Sequence, residues 1–290
     1  MNKQTISRRV FTKSLLTAGA AMGLGSVALK GCAKPAVSQE TPVGIQLYTV
    51  RDLLQTDFTG TLRQVAAIGY KALEFAGFGY LTAAELKALL TELGVQTCGA
   101  HIGIEQLDAN LNGTLEYNLE LGNPNIICPY MPNTYQDQKA DGFKAFAEKL
   151  NLYGESIKKA GMQFIYHNHA FEFEKVDDKY LYDILMENTQ PELVKLEADL
   201  YWVKRAGIEP LDYIKTYSSR LTMIHMKDMA NDAEQSFAPV GTGVMDFPPI
   251  ILAARELGIK WFVVEQDRCT GSPIEAITTS YTNMKALLKA

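Results

Sequence analysis

Four short apolar runs in the second half of the chain, residues 164–172, 194–199, 223–228 and 262–267, each end in side chains able to hold a divalent cation. The first carries His167, His169 and Glu172, the second Glu197 and Asp199, the third His225, Lys227 and Asp228, and the fourth Glu265 and Asp267. If these runs are strands, side chains alternate between two faces and residues two apart share one. Ile165, His167 and His169 then share a face, as do Glu197 and Asp199, His225 and Lys227, and Val263, Glu265 and Asp267. Several carboxylates gathered in an interior cost several kcal/mol unless a cation or hydrogen bonds compensate them. A bound metal is the economical compensation. A structural ion-pair group at His225, Lys227 and Asp228 is the bland alternative, but it accounts for one strand and not four.

The elements that must position these groups alternate regularly. A strand at 43–48 precedes a helical pattern at 59–68; a second at 72–75 precedes a helix at 83–93, entered through Thr82 and left at Gly94. A third strand at 95–101 leads into a polar, Asn-rich stretch and a helix around 115–121, and a fourth at 126–130 into a long helix at 138–160. Strands at 163–169, 193–199, 221–227 and 260–265 pair with helices at 179–188, 210–217, 247–257 and 273–288. Eight alternations over roughly 250 residues predict an α/β chain folded as a (β/α)8 TIM barrel, with chemistry at the carboxyl ends of its strands. No Gly-x-Gly-x-x-Gly follows the first strand, so a dinucleotide-binding open sheet lacks its phosphate turn.

The chain has 290 residues, 47% hydrophobic and 21% charged, a globular composition with length for one barrel. Its net charge of -5 and the lack of a basic run in the body disfavour nucleic acid, which needs clustered Lys and Arg. A small neutral or chelating ligand fits better, and a homo-oligomer is left open. Cys98 and Cys128 lie in apolar runs and read as buried free thiols, with Cys269 the remaining cysteine of the body.

The first forty residues are of a different kind. Ser7-Arg8-Arg9-Val10-Phe11-Thr12-Lys13 precedes an apolar run at 15–29, resembling a twin-arginine export signal. Leu29-Lys30-Gly31-Cys32 resembles a lipobox, which makes Cys32 the candidate lipidation site; Lys30 is unusual there. The run is short for a bilayer span, which needs roughly 20 residues. The expected organisation is a signal at 1–32, a tether at 33–41 and a barrel at 42–290. The expected location is periplasmic or membrane-anchored, with membrane contact only through the signal or lipid.

The body resembles the xylose-isomerase-like barrel superfamily. The likeness rests on Tyr166-His167-Asn168-His169-x-x-Glu172, Asp199-Leu200-Tyr201-Trp202, His225-Met226-Lys227-Asp228, the loop from Gly241 to Phe247, and Val264-Glu265-Gln266-Asp267. The resemblance implies one divalent ion (Mn, Zn, Co, Fe or Mg) held by residues of strands five to eight, usually Glu, Asp, His and Glu. Asp199, His225 and Glu265 match that pattern. The fifth strand departs from it, because His167 stands where a carboxylate is usual; either His167 is the fourth ligand or Glu172 reaches back from the loop.

The resemblance also implies isomerase, epimerase or lyase chemistry through proton removal beside a metal-bound carbonyl. Glu172 and Glu265 are the candidate bases, His169 the alternative proton carrier, and Lys227 the stabiliser of a developing oxyanion. Tyr48, Trp202 and Phe247 could stack on a sugar, His101 could touch substrate, and the amides of the Gly241–Phe247 loop could cradle an oxyanion. Export favours a non-phosphorylated sugar, keto-sugar or glycoside, 3-keto-glycosides included. The rivals are a repair nuclease, a carbohydrate-binding lipoprotein and a metal-dependent hydrolase.

Overall fold

All eight expected strands form, and they close into one parallel barrel in the order one, eight, seven, six, five, four, three, two. The computed structural model describes residues 41–289. The expected export leader, with its paired arginines, and the expected lipidation site Cys32 lie outside the described residues. The strands are Val43–Gln46, Ala72–Phe75, Gln96–His101, Asn125–Cys128, Gln163–His167, Val194–Asp199, Leu221–Met226 and Trp261–Val264. Among the described residues, no helix is long and apolar enough to cross a membrane.

Apolar residues outside the barrel pack against the helical ring, whereas Ala72, Cys98, Ile127, Ile165, Met223 and Val263 form a separate buried cluster inside it. This dry plug floors the site, and each large member contributes about 1.5–3 kcal/mol of burial. Two strands gain an extra residue as they pass the plug. Opposite Leu73 and Glu74 the third strand skips Cys98, and opposite Leu196 and Glu197 the seventh skips Thr222. An extra residue re-aims the side chains beyond it. His101 and His225 lie past these irregularities and face the interior, where both reach Glu74.

Three local expectations are corrected. The polar stretch after the third strand is already helical, from Ile104 to Leu121, with a break at Asn110. Ile104 and Leu107 bury one side of it, and Asn110 Oδ1 accepts from Gly113 N. Lys179 belongs to a small antiparallel ribbon, Lys175–Val176 with Lys179–Tyr180, so the following helix starts at Leu181. A short helix at Leu200–Arg205 follows the sixth strand directly, because Asp199 Oδ1 caps it through Tyr201 N and Trp202 N at 3.1 and 3.2 Å. Cys98 and Cys128 are buried free thiols, and Cys269 is free and partly exposed.

Candidate metal centre and cavity

Above the apolar plug the structure brings His167, Asp199, His225 and Glu265 together, each offering one ligand-type atom within 4.8 Å of the others. They come from four successive strand ends. Strand register explains the convergence: His167 pairs with Glu197 across strands five and six, and Asp199 with His225 across six and seven. Lys227 stands over this group, with Nζ 3.0 Å from both Asp199 Oδ2 and Glu265 Oε2 and 2.7 Å from Asp267 Oδ1.

A second, deeper group joins His101, His167, Glu197 and His225 to Glu74, the one member that the sequence does not single out. Glu74 Oε1 lies 2.8 Å from His225 Nε2 and 3.0 Å from His101 Nε2, and Glu197 Oε2 lies 3.0 Å from His167 Nδ1. Glu74 also accepts from Gln46 Nε2 at 2.7 Å. Glu74 and Glu197 are fully buried. The signal for Glu74 was its place two residues from Ala72 in an otherwise apolar strand, which parity turns inward.

The charges depend on one another. Burial pulls Lys227 down, yet Asp199, Glu265 and Asp267 hold it well above the ordinary lysine value, so it is an ammonium. Burial would raise Glu265, but Lys227 and His225 keep it well below the usual carboxylate range. Burial pushes Asp199 up to about 6, with Lys227 opposing. His167 is driven well below the imidazole value by burial and by His225, and His169 falls to about 3 through burial and Lys227. Burial lowers His101 too, but Glu74 and Glu197 raise it to about 9; burial likewise lowers His225, but Glu197, Glu265 and Glu74 raise it well above the imidazole value.

This arrangement fits a divalent cation. Five carboxylates gather here with one ammonium: Asp199, Glu265 and Asp267 meet Lys227, and Glu74 and Glu197 meet His225. Fully ionised, with His101 protonated and His225 neutral as a metal ligand must be, they leave three negative charges, most of which one such ion offsets. Mixed imidazole and carboxylate donors suit a transition metal.

The group opens into a cavity of about 940 Å³. His101, His167, His169, Lys227, Glu265 and Asp267 line it, with Tyr48, Trp202 and Phe237 among its aromatic walls. Arg51 stacks over the half-exposed Tyr48 ring and donates to the carbonyls of Tyr48 and Asp267. Arg205 donates to the carbonyls of Glu234 and Gln235. Two of the wall arginines are thus engaged with backbone.

Several candidates are placed elsewhere. Glu172, expected as a base or as a ligand reaching back, does not line the cavity: its carboxylate accepts from Tyr166 OH at 2.8 Å and His169 N at 3.0 Å. Burial pushes it up to about 7, and it ties the strand-five loop down. Phe247, expected to stack on a sugar, is buried in the core at a helix start. The expected oxyanion cradle at Gly241–Phe247 is filled from within the chain. Asp228 Oδ2 accepts from Gly241 N and Gly243 N at 2.8 and 2.9 Å, and Oδ1 from Met229 N and Met245 N at 2.8 and 3.1 Å. Gly243 is required there, since a Cβ would lie 2.1 Å from Met229 O. Asp228→Ala would strand four amides. It is expected to cost about 3 kcal/mol or more and to lower the melting temperature by about 6–12 °C, with metal content unchanged, as scanning calorimetry and metal analysis would read.

Known proteins share this framework. The profile of the xylose isomerase-like TIM barrel family matches residues 62–287. The chain belongs to the xylose isomerase-like TIM barrel family. Among relatives of this family, an inosose dehydratase of Geobacillus kaustophilus is 24% identical over 261 residues, covering 77% of this chain and 83% of that protein. Other inosose dehydratases align over about half their length. A solved sugar phosphate isomerase/epimerase from Parabacteroides distasonis superposes with a TM-score of 0.73 at 25% identity, covering 87% of this chain and 96% of that one. The IolI protein, solved with a zinc atom bound, shares the fold at a TM-score of 0.66 and 13% identity, covering 86% and 98%. The chain is a xylose isomerase-like enzyme.

Proposed function

We propose that this chain is an exported, divalent-metal-dependent enzyme that moves a proton on carbon beside a carbonyl of a non-phosphorylated sugar, keto-sugar or glycoside. The observation that carries the reading is the convergence of His167, Asp199, His225 and Glu265 beneath a protonated Lys227 on one open cavity. A divalent ion bound by those four would polarise the carbonyl and acidify the neighbouring C–H.

The protein's own groups account for the rest. Lys227 Nζ offers an N–H to the oxyanion that develops as the proton leaves. Glu265 and Asp267, both on the cavity wall, are the carboxylates nearest to that ammonium that also face substrate. His169, whose Nδ1 has no partner within the protein, is the alternative proton carrier. Trp202, Tyr48 and Phe237 exclude water and offer flat faces for sugar C–H groups. The cavity lies near the top of the range for ligand pockets, about 300–1,000 Å³, which suits a glycoside. The export-type leader supports an unphosphorylated substrate.

Return of the proton to carbon gives isomerisation or epimerisation. Loss of a neighbouring hydroxyl or glycosidic oxygen gives elimination, and likeness to a dehydratase favours this second reading. The test is NMR in deuterated water with metal-replete protein and a panel of keto-sugars and glycosides. Solvent deuterium is expected on the carbon beside the carbonyl, and exchange should stop with a chelator. A hydrolysis product with neither deuterium on carbon nor a new C=C bond would point to a hydrolase, and no exchange with no bound metal to a sugar-binding protein.

A further inference from the structure

His167 and His225 each belong to two groups of metal-ligating character, one with Asp199 and Glu265 and one, deeper, with His101 and Glu197. They join the groups through opposite ring nitrogens. His167 Nδ1 lies 3.0 Å from Glu197 Oε2, while its Nε2 is the nitrogen toward Asp199 Oδ2, at 3.9 Å. His225 is turned the other way. Its Nε2 lies 2.8 Å from Glu74 Oε1 and 3.2 Å from Glu197 Oε2, while its Nδ1 lies 2.9 Å from Glu265 Oε2 and 3.9 Å from Asp199 Oδ2.

We infer that Glu74 and Glu197 are positioning residues that fix opposite tautomers of the two imidazoles, so that the centre holds one ion, bound by His167 Nε2 and His225 Nδ1. This rests on the metal reading proposed above. A neutral imidazole has one N–H and one lone pair, and an ionised carboxylate can only accept. With an ion held by Asp199 and Glu265, the second proton of His225 is displaced and the carboxylates left to accept are Glu74 and Glu197; the nitrogens facing those two keep the hydrogen, and the lone pairs are left on the side of Asp199 and Glu265. Carboxylate–histidine–metal relays of this kind orient the ring and strengthen the ligand.

Both carboxylates are themselves held. Gln46 donates to Glu74 through Nε2 and accepts from Tyr48 N through Oε1, which leaves its amide one orientation. His101 Nε2 sits between the two glutamates, 3.0 Å from Glu74 Oε1 and 3.2 Å from Glu197 Oε2, and bridges them. A second ion in the deeper group would need both nitrogens of His167 and His225 as lone-pair donors at once. That would strip each ring of its last N–H, so the two groups exclude one another.

The experiment uses the full chain loaded with zinc or cadmium-113. Metal content is read by mass spectrometry and ring tautomers by long-range proton–nitrogen NMR. One ion per chain is expected, with His167 protonated on Nδ1 and His225 on Nε2. Glu74→Gln and Glu197→Gln should each weaken metal affinity about 10–100-fold in chelator competition while keeping the parent circular dichroism. Two ions per chain, the reverse tautomers, or unchanged affinity in both variants would overturn the inference while leaving a metal enzyme. No bound ion would overturn the metal reading with it. The tautomer measurement needs no variant, so a substitution that fails to fold does not remove the test.

Discussion

Glu265→Gln should lose most of its bound divalent ion and lower kcat/KM by about 1,000-fold or more, a loss of several kcal/mol at the transition state. The change is isosteric, so packing is hardly altered, but one oxygen carries most of the site's coupling. Glu265 Oε2 meets both His225 Nδ1 at 2.9 Å and Lys227 Nζ at 3.0 Å. A neutral amide ligates a cation poorly and cannot form the charged pair that the carboxylate makes with Lys227. Metal analysis beside turnover reads the result. A variant with undiminished metal and turnover would refute the ligand role.

Lys227→Met should act in opposite directions on binding and on catalysis. Removing the ammonium strips Asp199, Glu265 and Asp267 of their shared partner, and breaking a buried ion pair typically costs about 3–5 kcal/mol. The metal-free variant should therefore melt well below the parent. The same carboxylates are then released for a divalent ion, which no longer competes with a positive charge 3.0 Å from two of them. Metal affinity should rise, and added metal should recover more melting temperature than it does in the parent. Turnover should nonetheless fall by about 100–1,000-fold, the usual loss for one oxyanion donor. Weaker metal binding in the variant would mean that Lys227 organises the ligands instead of competing for them.

Much of this arrangement was readable because a strand has a period of two. Once 164–172, 194–199, 223–228 and 262–267 are strands, parity groups the chemistry-bearing residues of each strand on one face, and register then brings His167, Asp199 and His225 side by side. The eightfold alternation did the same for the barrel, whose closed parallel order matches it. What stayed hidden depends on side chains reaching far along the chain. Glu74 is a single acid in a four-residue strand, and its meaning comes from His225, 151 residues away. Glu172 had the spacing of a ligand, but a tight turn at Phe171–Phe173 folds it beneath the loop toward Tyr166. Asp228 looked like an ion-pair partner of its neighbour Lys227. Its acceptors are instead occupied by amides one to seventeen residues onward, a pairing that only the folded loop defines.

That loop has a wider meaning. The segment from Met229 to Met245 leaves the seventh strand, contributes Phe237 to the cavity wall, and is fastened at both ends by the single carboxylate of Asp228. None of the four groups that gather around the candidate ion lies within it. Chemistry and molecular recognition are therefore separable along the chain: a lineage can exchange the wall for one of different length or polarity, provided the fastening persists, and inherit the reaction intact.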